Sequence, residues 1–223
     1  MKTLLIIPSY NEEENVEMVY ESIKPVLEYC DYLFVNDCSK DKTGKILDDL
    51  KLNHIDLPVN LGLSGCVQMG YKYACEHGYD AAIQFDGDGQ HQACYVPKMI
   101  EEIQQGYDIV IGSRFVTEKK DFSMRMIGSR IITVLLKLTT GKTISDPTSG
   151  MRMLNRKMLF DYAYNMNRKP EPDTLAYQIR NGAKVKEIQV EMNERVAGES
   201  IFNPWSSIKY MVKTCISLIF FMY

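Results

Sequence analysis

Short apolar runs alternate with amphipathic segments through the first half of this 223-residue chain. Continuous apolar runs are typical of strands that are buried on both faces of a sheet. Such runs stand at residues 3–7, 32–35, 81–85 and 109–111, with a weaker one at 55–59. Their alternation with helical patterns predicts an α/β protein, in which helices cover both faces of a mostly parallel sheet.

Segments with helical periodicity separate these runs and continue after them. Asn11, with Glu14 three residues later, has the pattern of a helix N-cap, and apolar residues then recur on one helical face. The other predicted helices lie at residues 43–50, 60–77, 96–105, 156–163 and 174–180, and one more strand lies at 185–190. We therefore expect one domain over residues 1–203, followed by an amphipathic helix at 204–223.

Polar loops follow the predicted strands at residues 8–12, 36–41, 86–91 and 112–114. Ligands of parallel sheets bind beyond the carboxyl ends of the strands, so we expect these loops to share one edge. A dinucleotide-binding dehydrogenase would carry G-x-G-x-x-G after the first strand. That loop reads P-S-Y-N-E here, which excludes this class of enzyme.

The loop at residues 86–91 places Asp86 and Asp88 directly after an apolar run. Paired carboxylates at a strand end suit Mg²⁺ or Mn²⁺, whose octahedron is often completed by substrate phosphates. A helix-loop-helix calcium site is excluded because its sixth and twelfth positions would be His91 and Pro97. A phosphatase with a D-x-D nucleophile would carry Thr where Gln90 stands. A nucleotide-sugar site and a plain acidic turn both remain open.

Net charge, cysteine content and the N-terminal run indicate which partners and which cellular compartment to expect. A net charge of −3 argues against general nucleic-acid binding. The six cysteines form no C-x-x-C pair, which predicts mostly buried, reduced thiols in a cytoplasmic protein. The apolar run after Lys2 ends at Pro8, so we expect no secretory signal.

Five segments in order carry a resemblance to a known family. They are I-P-S-Y-N-E at 7–12, V-N-D-C-S-K-D-K-T at 35–43, D-G-D-G-Q-H at 86–91, D-P-T-S-G-M-R at 146–152 and R-V-A-G-E-S at 195–200. Together they resemble the family 2 glycosyltransferases, in the branch of the dolichol- and polyprenol-phosphate mannose synthases. The chain departs from the family pattern at Asn36, where Asp is commoner, and at Met151, where Phe is usual.

The resemblance implies a GT-A type sheet and an inverting, metal-dependent transfer from a nucleotide-diphosphate sugar to a lipid-phosphate or glycan acceptor. It assigns the donor to Pro8, Tyr10, Glu12, Asp37, Asp86, Arg195 and Ser200. It assigns Mg²⁺ or Mn²⁺ to Asp86, Asp88 and Gln90, and catalysis to Asp88, Arg114 and Asp146. Three of these residues also have a purely structural explanation. Glu12 could stabilise the first turn of its helix, Asp37 could be an ordinary turn residue, and Arg114 could be a solvated surface charge.

The acceptor decides the role expected of Asp146. A hydroxyl acceptor needs a carboxylate that takes its proton, and Asp146 is then the candidate base. A lipid phosphate is already ionised, and Asp146 would then orient or gate the site. Two rival functions stay open at this stage: a phosphohydrolase built on the D-x-D pair, and a non-catalytic nucleotide-binding scaffold.

Two segments suggest a membrane surface as a partner. Residues 114–142 carry seven Lys or Arg against two acidic residues, and the helix within them has an apolar face. This pattern favours an anionic lipid surface or a phosphate-bearing acceptor, although a core helix with a solvated face fits equally. The uncharged run at 214–223 is half the roughly 20 residues that span a bilayer. The tail would be interfacial, packed in a core or oligomer, or the start of a span, and we expect a peripheral protein on the inner face of the membrane.

Overall fold

The computed structural model describes residues 1–118, 120, 124–165, 172–193 and 204–220. The described residues form one seven-stranded sheet in the order β3-β2-β1-β4-β6-β5-β7. Its strands are β1 (Thr3–Ser9), β2 (Asp31–Asn36), β3 (His54–Asp56), β4 (Ala81–Gln84), β5 (Ile109–Ser113), β6 (Arg152–Asn155) and β7 (Val185–Gln189). All of them run parallel except β6, which confirms the mostly parallel sheet.

Helices cover both faces of this sheet. Those in the described residues are α1 (Val16–Ile23), α2 (Thr43–Asp49), α3 (Gly62–Glu76), α4 (Val96–Gln104), α5 (Met124–Thr140), α6 (Arg156–Phe160), α7 (Pro172–Arg180) and α8 (Pro204–Phe220). Side chains of β1 alternate between two buried clusters: Leu4 and Ile6 pack on one side, and Leu5 and Ile7 on the other. This alternation follows from the two-residue period of a strand, and it explains why the run reads as uniformly apolar.

The sequence analysis predicts no strand at β6, and there it is wrong. Strand β6 inserts antiparallel between β4 and β5, with Arg152 opposite both Gln84 and Ile111. Because it runs against its neighbours, β6 begins at the edge where β4 and β5 end. The 146–151 loop that precedes it is thereby brought to the edge where we expect the site.

The helix N-cap predicted at Asn11 is also wrong. Asn11 lies in the left-handed region at φ 54°, where Asn is among the better tolerated residues. Its side-chain oxygen accepts a hydrogen bond from the backbone N–H of Lys40 at 2.8 Å, which ties the loop after β1 to the loop after β2. Helix α1 begins only at Val16, after Asn15.

Other predicted elements hold with shifted ends. Strand β3 ends at Asp56, three residues before the predicted end at residue 59. The helix predicted at 156–163 splits into α6 and a π-helical turn, Asp161–Asn165.

All six cysteines lie within the described residues and are free thiols, as predicted. Only Cys30 and Cys66 are buried, so the prediction of mostly buried thiols is wrong. Burial raises the pKa of each of these two thiols to about 12, which keeps them protonated and unreactive at neutral pH.

The tail helix α8 packs against α5 and α7. Thr214 and Leu218 are buried on its inner side, and Gly128 of α5 leaves room for Met211, since a Cβ at position 128 would collide with the Met211 sulfur. No helix in the described part of the chain combines the length and the apolar character that crossing a bilayer requires.

Candidate active site

Asp37 lies buried where the loop after β2 meets the loop after β1. Its backbone N–H donates to the carbonyl of Ser9 at 2.9 Å, which continues the pairing of β1 with β2. One carboxylate oxygen accepts from the backbone N–H of Leu61 at 2.7 Å, and Asn60 donates to the Asp37 carbonyl at 3.1 Å. Asp37 is therefore a fixed carboxylate that joins β1, β2 and the start of α3, and not simply a surface turn residue.

The loops after β1 and β2 enclose a cleft of about 380 Å³. Its lining comprises residues 11–15 together with Lys40 and Asp41, and three of those residues are glutamates. Glu12 is held in place because its backbone N–H donates to Thr43 Oγ1 at 2.9 Å and its carboxylate accepts from Asn15. Two other residues assigned to the donor differ in exposure, since Pro8 is buried in β1 and Tyr10 is 41% exposed. The acidic lining suits ribose hydroxyls and base N–H groups and disfavours phosphates.

The D-x-D loop is shaped by His91. The backbone N–H of Asp86 donates to His91 Nδ1 at 2.9 Å, which leaves the ring proton on Nε2. That nitrogen stands 3.5 Å from Asp86 Oδ2, and the ring is buried against Phe85. One imidazole thus contacts both the backbone and the carboxylate of Asp86, and it fixes the direction in which this carboxylate points.

Asp88 is buried two residues further along the same loop. Its Oδ1 accepts from the backbone N–H of Gln90 at 3.1 Å, so the side chain turns back on its own loop. Asp86 is more open, with 29% of its side chain exposed, and its Oδ1 accepts from Gln84 at 3.0 Å. Within the described residues no three His, Cys, Asp or Glu side chains cluster as a self-sufficient metal cage. The carboxylate pair with Gln90 fits a hard cation that shares its coordination with a substrate diphosphate.

Two glycines bring the loops of the site into contact. A Cβ added at Gly87 would lie 2.7 Å from the Pro8 carbonyl, and one added at Gly150 would lie 2.9 Å from Asp86 Oδ2. Only glycine permits such approaches without displacement of the neighbour. The site is therefore continuous from the loop after β1, through the D-x-D loop, to the 146–151 loop.

Arg114 and Asp146 form an ion pair joined by two side-chain hydrogen bonds. Arg114 Nε donates to Oδ2 at 2.7 Å and Nη2 to Oδ1 at 2.9 Å, and the Arg114 backbone N–H stands 3.3 Å from Oδ2. Asp146 is fully buried, while a quarter of the Arg114 side chain is exposed. A two-pronged pair of this kind fixes the plane of the guanidinium. Arg114 is therefore not a solvated surface charge.

The sequence analysis assigned no role to the two residues, Arg152 and Glu187, that hold the loop around Asp146. Arg152 is buried and donates to the carbonyls of Pro147 at 3.1 Å and Ser149 at 3.4 Å. Glu187 of β7 accepts from two backbone N–H groups of the same loop. The alternation at 185–190 puts Glu187 on the polar side of a strand, but a spacing of two gives no sign of which loop it would reach. Arg152 ends the D-P-T-S-G-M-R segment, but nothing in that segment indicates that its side chain binds the carbonyls of the loop before it.

Lys120 adds a cation beside the pair. Its Nζ donates to Ser129 at 2.8 Å and Thr133 at 3.2 Å on α5. Burial lowers the pKa of Lys120, an effect opposed by nearby Asp146 and reinforced by Arg114. Arg114 and Lys120 of the basic region predicted from sequence thus interact with Asp146, whereas Lys137 and Lys142 of that region are exposed. The remaining predicted site residues, Arg195 and Ser200, lie outside the described residues.

The model of the family described as "Glycosyl transferase family 2" matches residues 4–162. An undecaprenyl-phosphate mannosyltransferase of Micrococcus luteus is 29% identical over 213 residues, which is 90% of this chain and 87% of the relative. A dolichol-phosphate mannosyltransferase of Pyrococcus furiosus is 34% identical over 173 residues, 71% of this chain and 47% of the relative. The chain belongs to glycosyltransferase family 2. This membership confirms an enzyme of sugar transfer and sets aside the phosphohydrolase and scaffold alternatives.

Solved structures agree on the fold. Glucosyl-3-phosphoglycerate synthase from Mycobacterium tuberculosis, in complex with Mn²⁺, UDP and phosphoglyceric acid, superposes with a TM-score of 0.69 at 16% identity. The match covers 97% of this chain and 78% of that one. It confirms the GT-A type sheet that the five sequence segments implied.

Proposed function

We propose that this glycosyltransferase moves a sugar from a nucleotide-diphosphate sugar to a polyprenyl phosphate, with Mg²⁺ or Mn²⁺ at the D-x-D loop. The observation that carries the proposal is the Arg114–Asp146 pair, in which Asp146 is buried and Arg114 is partly exposed, at the same carboxyl edge of the sheet as Asp86 and Asp88. Two of the relatives support it: the Micrococcus luteus enzyme is named for undecaprenyl phosphate, and a Mycolicibacterium smegmatis relative for polyprenol monophosphomannose.

The donor lies across two chemically distinct halves of the site. Glu12 lines the acidic cleft that repels phosphates, and Asp37 lies where the same two loops meet; both accept hydrogen bonds from base and ribose. Asp86 and Asp88, with Gln90, would hold the metal, which would bind the donor diphosphate. The bound cation supplies Lewis-acid stabilisation of the departing nucleotide diphosphate. The solved relative in complex with Mn²⁺ and UDP is compatible with this division.

The acceptor enters from the side of Arg114. Arg114 pairs with Asp146, Lys120 interacts with both of them, and Arg130 donates to the Lys120 carbonyl at 2.6 Å, so basic side chains are available to an anionic acceptor at this end of the site. A phosphate monoester is ionised at neutral pH and needs no base, so Asp146 orients Arg114 and does not take a proton. The phosphate oxygen attacks the anomeric carbon opposite the leaving diphosphate, with inversion of configuration. Inversion is the outcome implied by the family resemblance.

A thermal-shift panel tests the donor half of the proposal. UDP, GDP, CDP and dTDP would each be added with Mn²⁺, with Mg²⁺ or with chelator. A ligand at 100 times its dissociation constant stabilises the fold by about 2.7 kcal/mol, which at this size raises the melting temperature by roughly 5–10 °C. We expect one nucleotide to give this shift, and only with metal present. An equal shift with chelator would remove the metal from donor binding, and no shift with any nucleotide would contradict the donor site.

A joint apolar face on α5 and α8 provides contact with the membrane in this proposal. The two helices pack together, and each exposes a stripe at helical spacing. The stripes are Ile127, Ile131, Val134 and Leu138 on α5, and Val212, Ile216 and Ile219 on α8. Exposed Lys137, Lys142 and Lys213 accompany them, which suits an anionic lipid surface. The protein would then act as a peripheral enzyme on the inner face of the membrane, where a polyprenyl phosphate is embedded.

Vesicle flotation tests this face. Ile131→Glu combined with Ile216→Glu is expected to reduce binding to anionic phospholipid vesicles more than tenfold, because each buried apolar side chain contributes about 1.5–3 kcal/mol. Leu50→Glu is the control, since Leu50 is also exposed but lies at the end of α2. Equal flotation of all three proteins would contradict the membrane face. A change from dimer to monomer in the double variant, without any vesicle binding by the wild type, would assign the face to self-association.

A further inference from the structure

We propose that Glu187 and Gln189 of strand β7 are positioning residues that set the geometry of the Arg114–Asp146 pair. They stand two residues apart, so both side chains project from the same face of the strand. Strand β7 lies at the edge of the sheet beside β5. The inference rests on the role proposed above for the pair, and it adds the device that holds the pair in place.

Glu187 holds the loop that carries Asp146. Its Oε2 accepts from the backbone N–H of Ser145 at 2.7 Å, and its Oε1 accepts from the backbone N–H of Asp146 at 2.8 Å. Both oxygens of one carboxylate therefore bind two successive peptide groups. Hydrogen bonds to an ionised acceptor are about twice as strong as neutral ones, so this contact fixes the direction of the loop at Asp146 itself.

Gln189 holds the loop that carries Arg114 in the same manner. Its Oε1 accepts from the backbone N–H groups of Val116 and Thr117, each at 2.9 Å. Its Nε2 donates to the carbonyl of Arg114 at 3.0 Å. The side-chain amide thus binds the backbone of Arg114 directly and also fixes the turn that follows it.

The pairing of β5 with β7 gives both contacts a common reference. Ile111 stands opposite Glu187, and Ser113, the residue before Arg114, stands opposite Gln189. Strand β7 therefore fixes the distance between the two loops that carry Arg114 and Asp146, whose side chains form hydrogen bonds of 2.7 and 2.9 Å. Displacement of either loop by about 1 Å would break this geometry, and misplacement on that scale can cost two orders of magnitude in rate.

The test is a double-mutant cycle on kcat, with Glu187→Gln, Asp146→Asn and the two combined. Glu187→Gln keeps the shape of the side chain but replaces one acceptor oxygen by an NH₂ group that faces a backbone N–H. We expect kcat to fall about 10- to 100-fold, with nucleotide affinity unchanged within about twofold. In the Asp146→Asn background the same change should cost less than about twofold, because residues that act through one another are not additive. Glu191→Gln, an exposed residue with the same change of charge, is the control and should match the wild type.

The outcomes separate this inference from the function on which it rests. If Glu187 had only a structural role, Glu187→Gln would lower the melting temperature and the fraction of protein that binds nucleotide, but kcat per nucleotide site would be unchanged. Its effect on the rate would also add to that of Asp146→Asn. This result would overturn the inference. If Glu187→Gln has the wild-type kcat while Asp146→Asn is slow, the inference is overturned and the proposed role of the Arg114–Asp146 pair stands. Wild-type kcat for Asp146→Asn would overturn both the inference and the proposed role of the pair. If Glu187→Gln does not fold, Gln189→Leu applies the same cycle to the Arg114 loop with the same expectations.

Discussion

Replacing Asp88 with asparagine is expected to reduce kcat by about 10²–10³-fold and to abolish the metal dependence of nucleotide binding. The substitution keeps the size of the side chain and its turn with the Gln90 N–H, which Oδ1 accepts at 3.1 Å. It removes one of the two carboxylate charges of the loop, and the described residues contain no group of three His, Cys, Asp or Glu side chains that could hold a metal in its place. The expected loss corresponds to about 2.7–4 kcal/mol of transition-state stabilisation. Initial rates and metal titrations of both proteins would measure it.

The control for Asp88→Asn is Asp49→Asn, which removes the same charge from an exposed position at the end of α2. It should retain the rate and the metal response of the wild type. Asp88→Asn with an unchanged metal response would show that the D-x-D loop does not hold the cation, although the family assignment would stand.

Asp146→Asn is expected to lower kcat by a comparable factor for a different reason. The amide cannot neutralise Arg114, and it can accept only one of the two hydrogen bonds that now fix the guanidinium. Arg114 then loses the orientation in which it holds the acceptor phosphate for attack. If Asp146 orients Arg114, then Arg114→Ala should be about as slow, and combining both substitutions should cost little more. Steady-state rates with a polyprenyl phosphate acceptor would measure this effect.

The pH profile separates the two roles of Asp146. An orienting residue leaves the shape of the kcat profile unchanged when it becomes asparagine, whereas loss of a general base removes the limb on which the base titrates. A missing limb would favour the base and an acceptor with a neutral hydroxyl. Turnover at the wild-type rate would exclude Asp146 from both roles.

Much of the fold could be predicted because buried parallel strands leave a strong signal. Continuous apolar runs located β1, β2, β4 and β5, and polar residues after each run located the edge of the site. The signal failed at β6, whose four residues include Arg152, and at Asn11, where a residue typical of helix caps instead binds the backbone of Lys40. In both places a tertiary contact outweighs the local pattern, and local patterns are all that one sequence displays.

The site was predictable to the extent that its chemistry lies in short segments. Asp37, Asp86, Asp88 and Asp146 follow strands or precede one, and the structure brings their loops to one edge. The bond between Arg114 and Asp146 could not be predicted, since 32 residues separate them in sequence. The contacts of Glu187 could not be predicted for the same reason, because the residues that it binds lie 41 and 42 positions earlier in the chain.

The most direct test of the account is transfer of a labelled sugar into lipid. The full chain would be incubated with vesicles that contain a polyprenyl phosphate, with Mn²⁺, and with GDP-mannose, UDP-glucose or UDP-N-acetylglucosamine labelled in the sugar. The account predicts that label from one donor moves into the organic phase, that chelator stops it, and that vesicles without the lipid phosphate give none. Label that stays in the aqueous phase with every donor, from a folded enzyme that binds nucleotide with metal, would contradict a polyprenyl phosphate acceptor.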